Sequence, residues 1–217
     1  MSGVTPDRLR SRQLTRSTEA DRSGTAALVA RRRKSAANGV WGMALFLTSE
    51  ITIFGTLLAT YFYLESDNRH WPPLGIKPPS VTFPLIATGV LVLTSLPMWL
   101  AWAAARRGAR PTTLRLVSLA FVVQLGYLAA QVLLFRHDLH QFRPQDTAYG
   151  SIYFTLLGTH HAHVVLGVLL DAVVLAYVGL RGLTNYWLIG VRNLALFWHV
   201  VNFLAILVVL TQLSPSL

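Results

Sequence analysis

WGMALFLTSEITIFGTLLATYFYL, residues 41–64, holds a single charged side chain, Glu50. As a helix rising about 1.5 Å per residue, the stretch is long enough to cross roughly 30 Å of hydrocarbon. A lone carboxylate near mid-bilayer is costly in any account of membrane solvation. Glu50 is therefore expected to face protein, lipid headgroup or water instead of acyl chains. Where it faces protein, it is expected to carry its proton and to bond a neighbouring helix.

The rest of the chain is built like this stretch. Of its 217 residues 53% are hydrophobic and 13% charged, and the mean hydropathy is +0.47. Four more apolar runs follow the first (36–64), at approximately 81–104, 112–135, 148–180 and 193–213. The fold class this predicts is all-α, a polytopic bundle of five transmembrane helices in a 36–213 domain. Residues 1–35 form an Arg-rich tail and 214–217 a short outer one. Cysteine is absent, which excludes disulfides, thiolate metal sites and cysteine nucleophiles. The net charge of +10 does not point to nucleic acid. Its basic residues sit in short segments between apolar runs, without the aromatic interleaving of a nucleic-acid module.

Those segments orient the chain. The 1–35 tail carries nine basic residues, ending in Arg31, Arg32, Arg33 and Lys34, against Asp7, Glu19 and Asp21. Arg106, Arg107 and Arg110 follow the second run, with Arg115 just beyond, and Arg181 and Arg192 follow the fourth, all unopposed by acid. The first and third loops balance their charges. The positive-inside rule then puts the N-terminus in the cytoplasm and the C-terminus outside. Arg31 to Lys34 are expected at the membrane interface, on anionic headgroups or a partner's rim. Trp71, in the proline-rich first loop, fits an outer interfacial anchor. A cleavable bacterial signal is not apparent, and a mitochondrial presequence is the lesser alternative for the Arg-rich tail.

Polar residues inside the runs are few. Glu50 and Asp171 are the acids there. Pro97 is expected to kink the second run by freeing a backbone carbonyl. The fourth run reads GTHHAHVVLGVLLDAV, in which His160, His163, Gly167 and Asp171 recur at spacings of three and four and are expected on one face. Gly158 and Gly167 would let another helix approach. The fifth run contains FWHVVNF, with His199 and Asn202 three residues apart. Counting about 1.5 Å per residue from Arg181 and Arg192 brings Asp171 and His199 to similar depths, which permits a pair between them. Glu50 can reach His160 or His163. Interhelical hydrogen bonds, a haem held by His160 or His163 with His199, a metal on His160, His163 and Glu50, and a proton path all remain open from spacing. His137 and His140, on the third loop, lack a third metal ligand.

Three motifs in order carry a family resemblance. WGMALFLTSEITIFGTLLATYFYL resembles the glutamate-bearing helix of subunit III of the haem–copper oxidases, with Ser49-Glu50 and the following Trp71-Pro72-Pro73. GTHHAHVVLG resembles that family's Gly-x-His-Gly-x-His-Val helix at His160 and His163. FWHVVNF resembles its Tyr-Trp-His-Phe-Val-Asp segment at Trp198 and His199. The resemblance covers about residues 38–213, in the short five-helix form of bacterial members. His161 stands where the family usually has glycine, and Asn202 where it usually has aspartate.

The resemblance implies a non-catalytic transmembrane subunit of a proton-pumping cytochrome c or quinol oxidase in a bacterial cytoplasmic membrane. It implies no redox cofactor in this chain, haem and copper in partner subunits I and II, and phospholipid in a cleft between helices. Glu50, His160, His163, Asp171, His199 and Asn202 then read as structural, lipid-cleft or proton-related residues, with no catalytic or metal role. Glu50 is the position at which the family reacts with hydrophobic carbodiimides. A component associated with nitric oxide reductase is the alternative function. A self-contained transporter would want an internal repeat and a second broken helix to match Pro97.

Overall fold

The computed structural model describes residues 39–76 and 81–213. Arg31, Arg32, Arg33 and Lys34 lie outside the described residues, as does 214–217. The chain divides into two compact units, Met1–Gly42 and Met43–Leu217. The packing that follows is that of the second.

Among the described residues, five helical spans are long and apolar enough to cross a membrane. They are α1 (Gly39–Asp67), the pair α2 (Thr82–Leu93) and α3 (Ser95–Arg106), then α4 (Arg110–Gln141), α5 (Ala148–Arg181) and α6 (Asn185–Leu213). α6 packs against α2, α3 and α5, and α4 against the same three. The apolar core accordingly gathers around α6 residues such as Phe197, Trp198 and Val201, with Val164, Met98 and Leu91 opposite. A second, aromatic cluster joins Phe54 and Tyr61 of α1 to Phe142, Tyr149, Tyr153 and Phe154.

α1 meets this bundle along one seam. From residue 43 onward only Phe54 and Tyr61 are fully buried, while Leu47, Glu50, Leu57 and Leu64 are half-buried. These six recur at alternating steps of three and four, the 3.5-residue period by which one helix keeps a single stripe against its neighbours. Glu50 thus occupies a packing position, not a lipid-facing one. On the exposed side, Thr48, Thr52, Thr56 and Thr60 each donate the side-chain hydroxyl to the carbonyl four residues back, all at 2.9 Å. Hydroxyls satisfied by their own helix can stand in an apolar medium at little cost.

Pro97 has the expected effect a turn earlier. Its ring cannot tolerate the carbonyl of Leu93 in a regular helix, and the helix breaks at Thr94, between α2 and α3. The Thr94 hydroxyl donates to the Leu91 carbonyl at 2.6 Å, satisfying one acceptor at the break.

Two element ends differ from the sequence expectation. α4 continues to Gln141, so His137 and His140 are helical and not on a loop, and His137 Nε2 lies 2.7 Å from Gln141 Nε2. Nothing in Phe135–Gln141 opposes a helix, and the chain turns extended only at Phe142, two residues before Pro144. α6 begins at Asn185, well before Arg192, which therefore lies on a helix with its side chain exposed. α5 starts on Thr147, whose Oγ1 accepts from the Gly150 N–H at 3.0 Å. It ends at Gly182, whose φ of 82° suits a residue without Cβ. Arg110 donates from Nε to the Val178 carbonyl at 2.9 Å and from a terminal nitrogen to that of Gly179. This supplies cationic donors to the last carbonyls of α5 and ties the start of α4 to them.

Candidate functional site

The polar residues singled out from the sequence fall into three groups in the core. In the first, Glu50 Oε2 lies 2.5 Å from His163 Nε2, joining α1 to α5, with both side chains nearly buried. The other ring nitrogen, Nδ1, is 2.7 Å from the Thr159 carbonyl. A carbonyl oxygen only accepts, so Nδ1 carries a hydrogen. One further proton then lies between Nε2 and Oε2, whichever atom holds it. Phe54 sets its ring edge-on to His163 at 5.3 Å and covers the pair.

The second group is built around Asp171, which is completely buried. Its Oδ2 accepts from the Trp198 indole N–H at 2.9 Å. With the Gln124 amide oriented to satisfy both its ends, Oδ2 also accepts from Gln124 at 2.8 Å, and the same amide donates to the Ala120 carbonyl at 3.1 Å. The pair that similar depth permits between Asp171 and His199 is therefore not formed. Similar depth is not enough: adjacent residues on a helix point about 100° apart, and it is Trp198, not His199, that faces α5. His199 is half-buried instead. One turn on, Asn202 donates to Ser95 Oγ at 2.8 Å and approaches Thr94 Oγ1 at 3.4 Å. The helix break upstream of Pro97 thus presents two hydroxyls to α6. Asn is suited to this contact because its amide donates, which an ionised Asp cannot do.

His160 heads the third group. Its Nε2 is 3.2 Å from the Tyr127 hydroxyl, and Thr88 and Gln131 also reach that hydroxyl. The single face expected for His160, His163, Gly167 and Asp171 is therefore split. His160, Gly167 and Asp171, separated by seven and four residues, stay in line. His163 is set about 60° round by its three-residue step and reaches α1. His161 packs edge-on against Phe135 at 5.7 Å. Trp71 lies edge-on to Tyr61 at 5.5 Å and to Tyr149 at 5.0 Å, so its indole is engaged by the protein itself.

These contacts decide the metal readings. His163 Nε2 is taken by Glu50 and its Nδ1 by a backbone carbonyl, while His160 Nε2 faces Tyr127 on another side of α5. Neither a haem axial pair with His199 nor a His160–His163–Glu50 metal site fits that arrangement. Among the described residues no group of three or more His, Cys, Asp or Glu side chains is placed to hold a metal ion.

Gly167 explains how α5 and α6 come close enough for the Asp171–Trp198 bond. A Cβ there would lie 2.5 Å from Trp198 Cζ2 and 2.9 Å from Phe197 Cε1. At Gly158, by contrast, a Cβ would meet nothing within 4 Å, so no described helix of this chain packs closely on that glycine. Gly167→Ala should force the Trp198 ring away from Asp171, at about 1–3 kcal/mol for overpacking. A lowered melting midpoint together with altered Trp fluorescence would register it, and an unchanged midpoint would contradict it.

Residues 20–213 match the cytochrome c oxidase subunit III family. The chain belongs to that family. It is 29% identical over 169 residues to the cytochrome bo(3) ubiquinol oxidase subunit 3 of Pseudomonas aeruginosa, covering 77% of this chain and 80% of that one. It is likewise 29% identical to the cytochrome c oxidase subunit 3 of Bacillus subtilis, over 76% and 80% of the two chains. The cytochrome c oxidase subunit 3 of Pelomedusa subrufa is 30% identical, over 75% of this chain and 64% of its own. Bacterial relatives and five long apolar helices mark the chain as a multi-pass protein of a bacterial inner membrane.

Tyr127, Gln124 and Gln131 are the residues that a sequence reading passes over. They stand in the third apolar run at steps of three and four, the only amides and phenol on its buried face. That periodicity, in an otherwise aliphatic run, was the available signal.

Proposed function

We propose that this chain is the non-catalytic subunit III of a proton-pumping haem–copper oxidase, supporting the stability and proton uptake of a catalytic partner that reduces O2 to water. The observation that carries this reading is the Glu50–His163 contact, which links the glutamate helix to the histidine helix in a chain of this family. Haem and copper belong to partner subunits I and II. Phospholipid occupies a cleft between helices, for which the open groove between α1 and α5, lined by Thr60, Leu64, Ser151 and Thr155, is the candidate. Purification from native membranes should bring down a large subunit with haem and copper. A chain that purifies alone, or with a partner containing haem and non-haem iron but no copper, would contradict the proposal.

The N-terminus and the turn around Gly108 lie in the cytoplasm, and the C-terminus outside. The unopposed arginines at 106, 107, 110, 115, 181 and 192 support this. Cysteines placed singly at Asn68 and Gln141 of the cysteine-free chain should label from outside intact cells, and one at Ala109 should not. The reverse pattern would invert the topology. The Arg-rich tail, with Arg31 to Lys34 next to α1 in sequence, binds anionic headgroups or the cytoplasmic rim of a partner, each basic residue adding about 1 kcal/mol. Deleting residues 1–30, which removes the five arginines upstream, should make retention in the detergent-solubilised complex more sensitive to salt; retention unchanged at every salt concentration would argue against it.

A further inference from the structure

Behind the Tyr127–His160 pair lies a small cavity between α2, α4, α5 and α6. Thr88, Tyr127, Gln131, His160 and Gln212 line its polar part, and Leu157, Val208 and other aliphatic groups line the rest. All five polar residues are at least nine-tenths buried. Gln131 Oε1 and Gln212 Oε1 are both shut away from solvent with no hydrogen-bond partner in the protein, and so is His160 Nδ1. The space is about 10 Å³, which is room for roughly one water.

We propose that this cavity is a binding site for one water molecule, which bridges the side-chain oxygens of Gln131 and Gln212. The chemistry of the lining selects that ligand. Both unpartnered amide atoms are acceptors, so the occupant must donate twice, as water does. An anion would meet oxygen lone pairs. A metal cation would sit without any carboxylate, since the lining holds no acid, and an uncompensated charge there is costly. An apolar occupant would leave two buried acceptors unsatisfied, at the full desolvation cost of each. So bound, the water joins α4 to α6, next to the histidine whose other nitrogen holds Tyr127.

The test is a structure of the purified complex at a resolution that shows ordered water, with wild type and Gln212→Leu compared. Wild type should show one isolated density peak within hydrogen-bond distance of both glutamine oxygens, and Gln212→Leu should lose it. An empty cavity, a side chain rotated to fill it, or an acyl or detergent tail in the space would overturn the proposal. A second measurement does not depend on resolution: the thermal midpoint at which the subunit leaves the complex, for Gln131→Leu, Gln212→Leu and both together. A shared water makes the double variant hardly worse than either single one, because the bridge is lost once. Losses that simply add would show that the two glutamines act independently and that no water joins them.

Discussion

Asp171→Ala is expected to destabilise this subunit more than any other single truncation in the bundle. The carboxyl group is fully buried and is the acceptor for two donors, the Trp198 indole and the Gln124 amide. Removing it strands both in a place that water does not reach, at about 1–3 kcal/mol for each orphaned group, and leaves a cavity besides. Because Trp198 and Gln124 belong to α6 and α4, the loss falls on the junction of three helices. The melting midpoint of the subunit in its purified complex should drop sharply, or the variant should fail to accumulate. Asp171→Asn keeps one oxygen to accept from both donors and should lose far less. Asn and Ala losses of equal size would show that the carboxyl group matters for something other than these two hydrogen bonds.

Much of this architecture is legible in the sequence because a bilayer asks for little more than length and apolarity. The 41–64 stretch and the four later runs announce their helices directly. Pro97 announces the break, although the break itself falls at Thr94, because the clash is with the carbonyl one turn upstream. What the sequence conceals is rotation. Trp198 and His199 are neighbours at nearly the same depth, yet about 100° apart, so counting residues cannot choose between them. The same ambiguity hides the division of His160 from His163, whose spacing of three is compatible with a shared face or with two different neighbours. Glu50 shares it, because Leu47, Phe54, Leu57, Tyr61 and Leu64 stand out as the buried stripe of α1 only in the packing, the exposed faces of the helix being apolar as well. The polar residues of α4 were concealed by composition: three uncharged side chains do little to the hydropathy of a long apolar run.

Glu50→Gln is expected to leave assembly and oxidase turnover near normal, whereas Glu50→Ala is expected to loosen α1 from the bundle. The geometry of His163 makes the distinction. With Nδ1–H committed to the Thr159 carbonyl, His163 and Glu50 share one proton between Nε2 and Oε2. Gln can supply that hydrogen from its amide, donating to Nε2 with the ring in the same tautomer. Ala supplies nothing, leaves Nε2 facing Phe54 and the aliphatic seam, and forfeits about 1–3 kcal/mol at the polar link between α1 and α5. That difference should appear as dissociation of the subunit in detergent, earlier for Ala than for Gln or wild type. Covalent labelling by a hydrophobic carbodiimide, expected at Glu50 in the wild-type complex, should vanish in both variants and serves as the control that the acid has gone. The decisive measurement is turnover of the assembled Gln variant across a range of pH. A bond that only holds helices together does not need its proton to leave, so the pH profile should match that of the wild type. If instead Gln slows turnover strongly and in a pH-dependent way while staying fully assembled, the shared proton must move during the catalytic cycle. Glu50 would then be part of the proton supply instead of a clasp between α1 and α5.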